Sequence, residues 1–437
     1  MRLAAAWRTR RVPVTIQLTA LTASVFGVQG LTALLTAKWL GASDRGVLVV
    51  AQTIALLLLL GGGVGLLAGT RVLLADPHHG VSLAAYLAAT RWLLLLQAIL
   101  ALSVGVGALI WLVPDAPPML LFGFVLQCVS GFRAALIREA LHGLGRHRYA
   151  VALELWAAAV PLVLVFAAYL SAHLTVVVAQ LAVAVGLLAQ WLTQCLVIRR
   201  HRLLEPSATP SPGTPPAETP AADLKATPVR HEGSLTLMKR MAVFSLPGLA
   251  AAIGLAIAGR ADRLILAHFH GSSSVGVYAT AATLAAVPWV LTAAVTGVIV
   301  RGVAQSGSTG VHGLWWRRVM VATTGLAVLT YATGAWVLDH FLAADFAGAG
   351  PLLAILLFGG LAMASQQVDL AVCSGRSDLG ASARSAAIGL VFGLAAYVLL
   401  IPPFGAYGAA WGSVVTYFAM ALSARWYVNK HIQEESA

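Results

Sequence analysis

Charge is scarce in this chain: Asp, Glu, Lys and Arg together make up 10% of its 437 residues, against about a quarter in an ordinary soluble domain. So little charge cannot cover a water-facing surface. A hydrophobic content of 59% and a mean hydropathy of +0.85 place the chain in a bilayer instead. Cysteine is nearly missing too. Cys128, Cys195 and Cys373 lie in apolar runs without pairing or ligand spacing, which excludes a disulfide framework and a cysteine metal site. There are four lysines and none follows a glycine, so the phosphate-cradling loop of an ATPase cannot be built. HExxH and nucleophile-elbow patterns are also absent, so no catalytic residues, metal or cofactor are expected. The chain reads as a non-enzyme.

What it has in abundance is apolar sequence in runs long enough to cross about 30 Å of hydrocarbon. Twelve spans are expected, over 13–38, 46–69, 87–113, 119–140, 150–170, 174–198, 241–267, 275–300, 319–340, 350–373, 383–402 and 407–426. The basic start MRLAAAWRTRR precedes a run too long for a signal-peptide core, so the first span is expected to be retained. The formal charge of +12 sits at span ends and not in a nucleic-acid-binding stripe. Arg146 and Arg148 follow the fourth span, Arg199, Arg200 and Arg202 the sixth, and Arg301, Arg317 and Arg318 the eighth. The opposite loops have almost no Lys or Arg, Lys38 and Arg45 being the exceptions. The positive-inside rule then puts both termini in the cytoplasm of a multi-pass inner-membrane protein, with anionic membrane lipids as neighbours and no nucleic acid. His78 and His79 fall in a short cytoplasmic loop and read as solvated.

A Pro-, Ala- and Thr-rich stretch from Glu205 to Gly233 has no apolar face to bury. The expected organisation is a first six-helix bundle over 1–199, a disordered cytoplasmic linker over 200–238, a second bundle over 239–427 and a cytoplasmic tail over 428–437. The two bundles look like repeats. A shift of 230 residues sets KWLGASDRGVLVVAQTIAL (from Lys38) on HFHGSSSVGVYATAATLAA (from His268). It matches Gly41 with Gly271, Ser43 with Ser273, Gly46 with Gly276 and four further positions. The same shift pairs Gly145-Arg146 with Gly375-Arg376. Two six-span halves that both start inside are parallel repeats about an axis along the membrane normal, an architecture of transporters that rock about a central site.

The segments DRLILAHFHGSSSVGVYATAATLA, AKWLGASDRGVLVVAQTIA and LIPPFGAYGAAWGSVVTYFAMAL resemble the polysaccharide flippases of the MOP superfamily. These are the Wzx-type O-antigen translocases, close to the lipid II flippases and more distantly related to MATE exporters. The resemblance covers nearly the whole chain. It implies an all-α V of two six-helix bundles around a cationic cavity, exporting a polyprenyl-diphosphate-linked saccharide by alternating access. It further implies no cofactor, coupling to H+ or Na+, and room for a polysaccharide polymerase as partner. Lipid II flippases carry arginines in the first span where this chain has only Gln17 and Gln29, which points away from lipid II as cargo. A MATE-like small-molecule antiporter and a non-transporting scaffold of a polysaccharide synthase are the alternatives.

The remaining charges supply the site candidates. Arg260, Asp262 and Arg263 lie inside the seventh span, where ionised groups are kept for a reason. The two arginines share a helix face and either meet an anionic diphosphate or belong to a structural pair. Arg133 in the fourth span is a further cavity candidate, while Arg138 and Glu139 near its cytoplasmic end can snorkel. Glu154 and Asp369 are lone acids suited to interhelical pairing or proton coupling. Gln366 and Gln367 can bond sugar hydroxyls or bond across helices. Pairs such as Gly389 and Gly393 suit close helix packing, and the run Gly61–Gly63 can let the second span bend.

Overall fold

Apolar runs of this length can satisfy their backbone hydrogen bonds in hydrocarbon by coiling into helices, and that is how the chain folds. The structure, a computed structural model, describes residues 14–63, 65–75, 81–200, 234–306, 312–342, 344–376 and 378–436. The linker stretch 205–233, the start of the chain and His78-His79 lie outside them. The described residues contain no strand. In chain order the helices are α1 (Val14–Gly62), α2 (Leu66–Ala75), α3 (Leu83–Ala89), α4 (Arg91–Leu100), α5 (Val106–Leu112), α6 (Pro118–Gly143), α7 (His147–Leu170) and α8 (Val176–Arg200). The second half has α9 (Ser234–Ala285), α10 (Trp289–Ser306), α11 (His312–His340), α12 (Ala349–Gly375) and α13 (Leu379–Ser436).

Eight helices among the described residues are long and apolar enough to cross a membrane, two of them doubled across a glycine break. α9 and α10 supply the other two passes, which makes twelve. The loops expected at 39–45 and 268–274 are single-residue breaks instead. α1 turns at Gly41 (φ 77°, ψ 178°), and α9 turns at Gly271 (φ 76°, ψ 177°). Backbone of that sign is costly for any residue with a Cβ. Two matched glycines therefore hold two matched corners. α13 turns likewise at Gly405, beside Pro402 and Pro403.

The second pass bends where the glycine run allows it, ending α1 at Gly62 and resuming in α2 at Leu66. The eighth pass was expected to be continuous over 275–300. It breaks at Val287-Pro288 instead, because Pro288 has no N–H with which to continue the α9 ladder. α9 already begins at Ser234 and α13 runs on to Ser436, so helix extends into both ends assigned above to linker and tail.

The repeat sets the contact between the halves. A Cβ on Gly46 would lie 1.7 Å from Ser272 O, and one on Gly276 would lie 1.9 Å from Ala42 O. The two passes cross with their backbones touching, and the Ser43 and Ser272 hydroxyls meet at 3.2 Å. Lipid tails are as apolar as leucine, so small residues that admit close approach are what hold membrane helices together. One buried cluster spans both halves, including Val50 and Ile54 of α1, Tyr278 and Leu284 of α9 and Tyr397 of α13. Towards the start of α9, Gly65 is pressed on Ser245, where a Cβ would come within 2.3 Å of Ser245 O. α9 thus follows the first half along its length, while α10 meets α1 over only a short stretch.

Gly143 and Gly375, near the ends of α6 and α12, are each pressed on a neighbouring backbone: their added Cβ atoms would meet Arg71 O at 3.1 Å and Val300 O at 3.0 Å, on α2 and α10. These are the two pieces that follow the breaks in the second and eighth passes. Outside the buried clusters the surface is apolar, with Leu102, Trp111, Val163, Leu170, Val328, Leu399 and Leu422 all exposed. An apolar surface of that extent faces lipid.

Candidate substrate site at the junction of the halves

Arg260 and Arg263 stand about 16 and 12 Å before the Gly271 corner at 1.5 Å per residue. A third arginine joins them from the other half. With no loop at 39–45, Arg45 lies on the first turn after Gly41, buried to 5% exposure, and within electrostatic reach of Arg263. Arg260 and Arg263 likewise feel each other's charge. Among the described residues no carboxylate oxygen lies within ion-pair distance of any of the three, and the Nε atoms of Arg45 and Arg263 are buried without a hydrogen-bond partner.

Asp262, the obvious counter-charge, is turned elsewhere. Its Oδ1 accepts the Arg263 backbone N–H at 2.8 Å, and its Oδ2 accepts the hydroxyls of Tyr278 and, at 3.5 Å, Ser413. Tyr397, which donates to Ala258 O at 2.7 Å, and Thr416 extend this hydroxyl shell. Both segments of α9 and both of α13 contribute to it. The result is a carboxylate held by hydroxyls beside three arginines that lack ion-pair partners, a net positive centre between the halves.

The other candidates are engaged. Arg133 donates to Thr90 Oγ1 at 2.8 Å and Leu87 O at 3.4 Å, satisfying the break between α3 and α4. Glu154 pairs with Arg138 at 2.8 Å, α7 to α6. Gln366 donates to Ser385 Oγ at 3.3 Å, and Gln367 accepts from the Thr292 hydroxyl. Asp369 takes His312 Nε2 at 2.8 Å and Arg425 Nε at 3.3 Å, and Arg425 also lies over the Trp316 ring.

The repeat shift of 230 pairs Asp369 with Glu139, which is also buried and is held by Arg71 and Arg138. An acid at the same place in each half therefore ties its helix to its neighbours, through different bases. Removing one base leaves the acid short of a donor. His312→Ala should lower stability by about 2 kcal/mol, read as a drop in melting temperature in detergent, with the Arg260 region unaffected.

Sequence reasoning missed Arg45, which it took for a loop residue, and the hydroxyl shell of Asp262. Ser413 and Thr416 carried a faint signal, three apart on one helix face. Beside the arginines a cavity of about 390 Å³ opens within the first half, between α1, α6, α7 and α8. Arg45 lines it, as do Gln29, Gln52 and Gln190. Among the described residues no group of three His, Cys, Asp or Glu side chains could hold a metal ion.

This fold has solved counterparts. The lipid II flippase MurJ in its inward closed conformation superposes with a TM-score of 0.72 at 11% identity, covering 95% of this chain and 87% of that one. An inward-facing multidrug resistance MATE family transporter of the MOP superfamily follows at 0.59 and 16%, covering 96% and 94%. A point mutant of the MATE transporter VcmN of Vibrio cholerae gives 0.55 and 12%, covering 96% and 98%. The chain has the MurJ and MATE fold. In sequence, an uncharacterised membrane protein of Methanocaldococcus jannaschii is 28% identical over 116 residues, which are 26% of this chain and 23% of that protein. The chain thus matches only about a quarter of that relative's length. No family model matches.

Proposed function

We propose that the chain is a flippase of the MOP type, moving a polyprenyl-diphosphate-linked saccharide across the cytoplasmic membrane for surface polysaccharide export. The observation that carries this reading is the set of three arginines at the junction, Arg45 buried and Arg260 and Arg263 half-buried, without ion-pair partners among the described residues. An unpaired buried cation is costly, and a diphosphate suits it because its oxygens match the guanidinium fork. Both termini and the basic loop ends are assigned to the cytoplasm on charge bias, and alternating access follows from rocking one half on the other. Asp262 in its hydroxyl shell is the first candidate for a coupling H+ or Na+, with Asp369 behind it. A polymerase that consumes the exported saccharide is a fitting partner.

A MATE-like antiporter for cationic compounds is the second reading, favoured by the Asp262 carboxylate in its shell of tyrosines and by the MATE likeness. Proteoliposomes separate the two. The wild type should flip a polyprenyl-diphosphate saccharide, and the Arg260→Gln, Arg263→Gln double variant should flip it at least about tenfold more slowly, given charge-assisted bonds of about 1.5–3 kcal/mol each. Export of a cationic dye with no movement of the lipid would establish the MATE reading instead.

A further inference from the structure

The cavity in the first half has a composition the arginine cluster does not explain. It joins a second compartment of about 300 Å³, and the two share Gln52, Gln127 and Gln190. Either volume lies in the range of small-molecule sites, about 300–1,000 Å³. Gln190 is buried, Gln52 is half-buried and Gln29 is exposed at the rim. Among the described residues none of these three side chains has a hydrogen-bond partner. Gln127 accepts from Gln180 at 2.6 Å, which leaves its own amino group free. A buried amide without a partner is expensive in a membrane protein. Of the four only Gln190 is both buried and unpartnered, but together they leave several amide donors and acceptors free around one cavity, which suits a ligand that donates and accepts at several points.

The charges narrow that ligand further. Among the described residues Glu154 is the one carboxylate lining the cavity, and Arg138 neutralises it. Arg45, at the side facing Arg263, keeps a buried Nε without a partner. No aromatic ring among the described residues lines either compartment. A cationic organic ligand would want an aromatic face and a free acid, and it would meet an uncompensated arginine here. A hydroxyl-rich neutral group suits the walls, because each amide offers both a carbonyl acceptor and two N–H donors to a hydroxyl that does the same.

We propose that this cavity within the first half is a saccharide site in which Gln29, Gln52, Gln127 and Gln190 hold the hydroxyls of the sugar nearest the diphosphate. Arg45 stands at the boundary, with one side to the sugar cavity and the other to Arg263. The site rests on the flippase reading above and adds to it the part of the cargo that is selected. Recognition in the cavity makes transport depend on the first sugar, while the arginines accept any diphosphate.

The test uses the full chain purified in detergent and four probes: a short-chain polyprenyl diphosphate, bare or linked to glucose, galactose or N-acetylglucosamine. Binding is measured by calorimetry. The wild type should bind at least one sugar-bearing probe about tenfold more tightly than the bare diphosphate, as two or three amide–hydroxyl bonds would give. The Gln52→Met, Gln190→Met variant should bind all four alike, at the bare-probe affinity. The Arg260→Gln, Arg263→Gln variant should weaken all four together. If the glutamine variant does not fold, Val183→Phe, which fills the cavity from α8, gives the same reading. Equal binding of bare and sugar-linked probes by the wild type overturns the saccharide site while leaving the flippase reading standing, as does a preference that survives both cavity variants. No binding of any probe removes the flippase reading and the site with it.

Discussion

Oxidising a Ser43→Cys, Ser272→Cys double variant should weld the two halves together at the Gly41 and Gly271 corners and stop transport. The wild-type hydroxyls lie 3.2 Å apart, and the contact is framed by Gly46 on Ser272 and Gly276 on Ala42. Two cysteines there fall within reach of a sulfur–sulfur bond of about 2 Å with little backbone movement. Cys128 and Cys373 are buried in separate clusters, and the half-buried Cys195 is replaced by Ser to remove any other thiol within reach of oxidant. After protease cleavage in 206–230, a non-reducing gel should show one band and a reducing gel two. Flipping should fall at least about tenfold on oxidation and return with reductant, because a helix pair in backbone contact has two discrete arrangements and no gradual ones. A complete cross-link with undiminished flipping would mean that this end never opens, and alternating access by rocking would be lost.

The glycines of that contact stood out in the sequence as matches of the repeat, although the contact between the halves was not read there. A corner at φ near 77° and a site where an added Cβ would fall within 2 Å of a carbonyl oxygen each favour glycine, and both repeats have it, at Gly41/Gly271 and Gly46/Gly276. The twelve passes were legible for an equally physical reason, since hydrocarbon dictates their length. The arginine cluster was only half legible. Arg260 and Arg263 stood out as charges in an apolar run, but Arg45 was hidden by a loop that does not exist. Whether it lies in water or in the core turns on seven residues remaining helical up to a single glycine, and local sequence does not reveal this. The glutamines were invisible for another reason. Gln366 and Gln367 look the same in sequence as Gln52 and Gln190, and only tertiary packing decides which pairs find partners. The acids Glu139 and Asp369 fell on the repeat, whereas their bases came from α2, α11 and α13 with no common spacing.

Arg45 offers the sharpest separation between holding the fold and doing the work. Replacing it by Met should make the protein more stable and, on the proposed function, slow flipping. Its guanidinium is buried, its Nε lacks a partner and it feels the like charge of Arg263. A flexible apolar side chain of similar length relieves both costs, by about 1–3 kcal/mol for the unmade hydrogen bond alone. Melting temperature in detergent should therefore rise. Flipping should fall about tenfold or more, because an anion between the halves loses one of its three cations. Arg45→Lys keeps the charge but not the fork, and it should recover only part of the rate while giving back the stability gained. Opposite signs for stability and rate are what a strained binding group produces. An arginine that merely braces the two halves gives the same sign for both: Arg45→Met would melt earlier and flip more slowly in proportion to the folded protein lost.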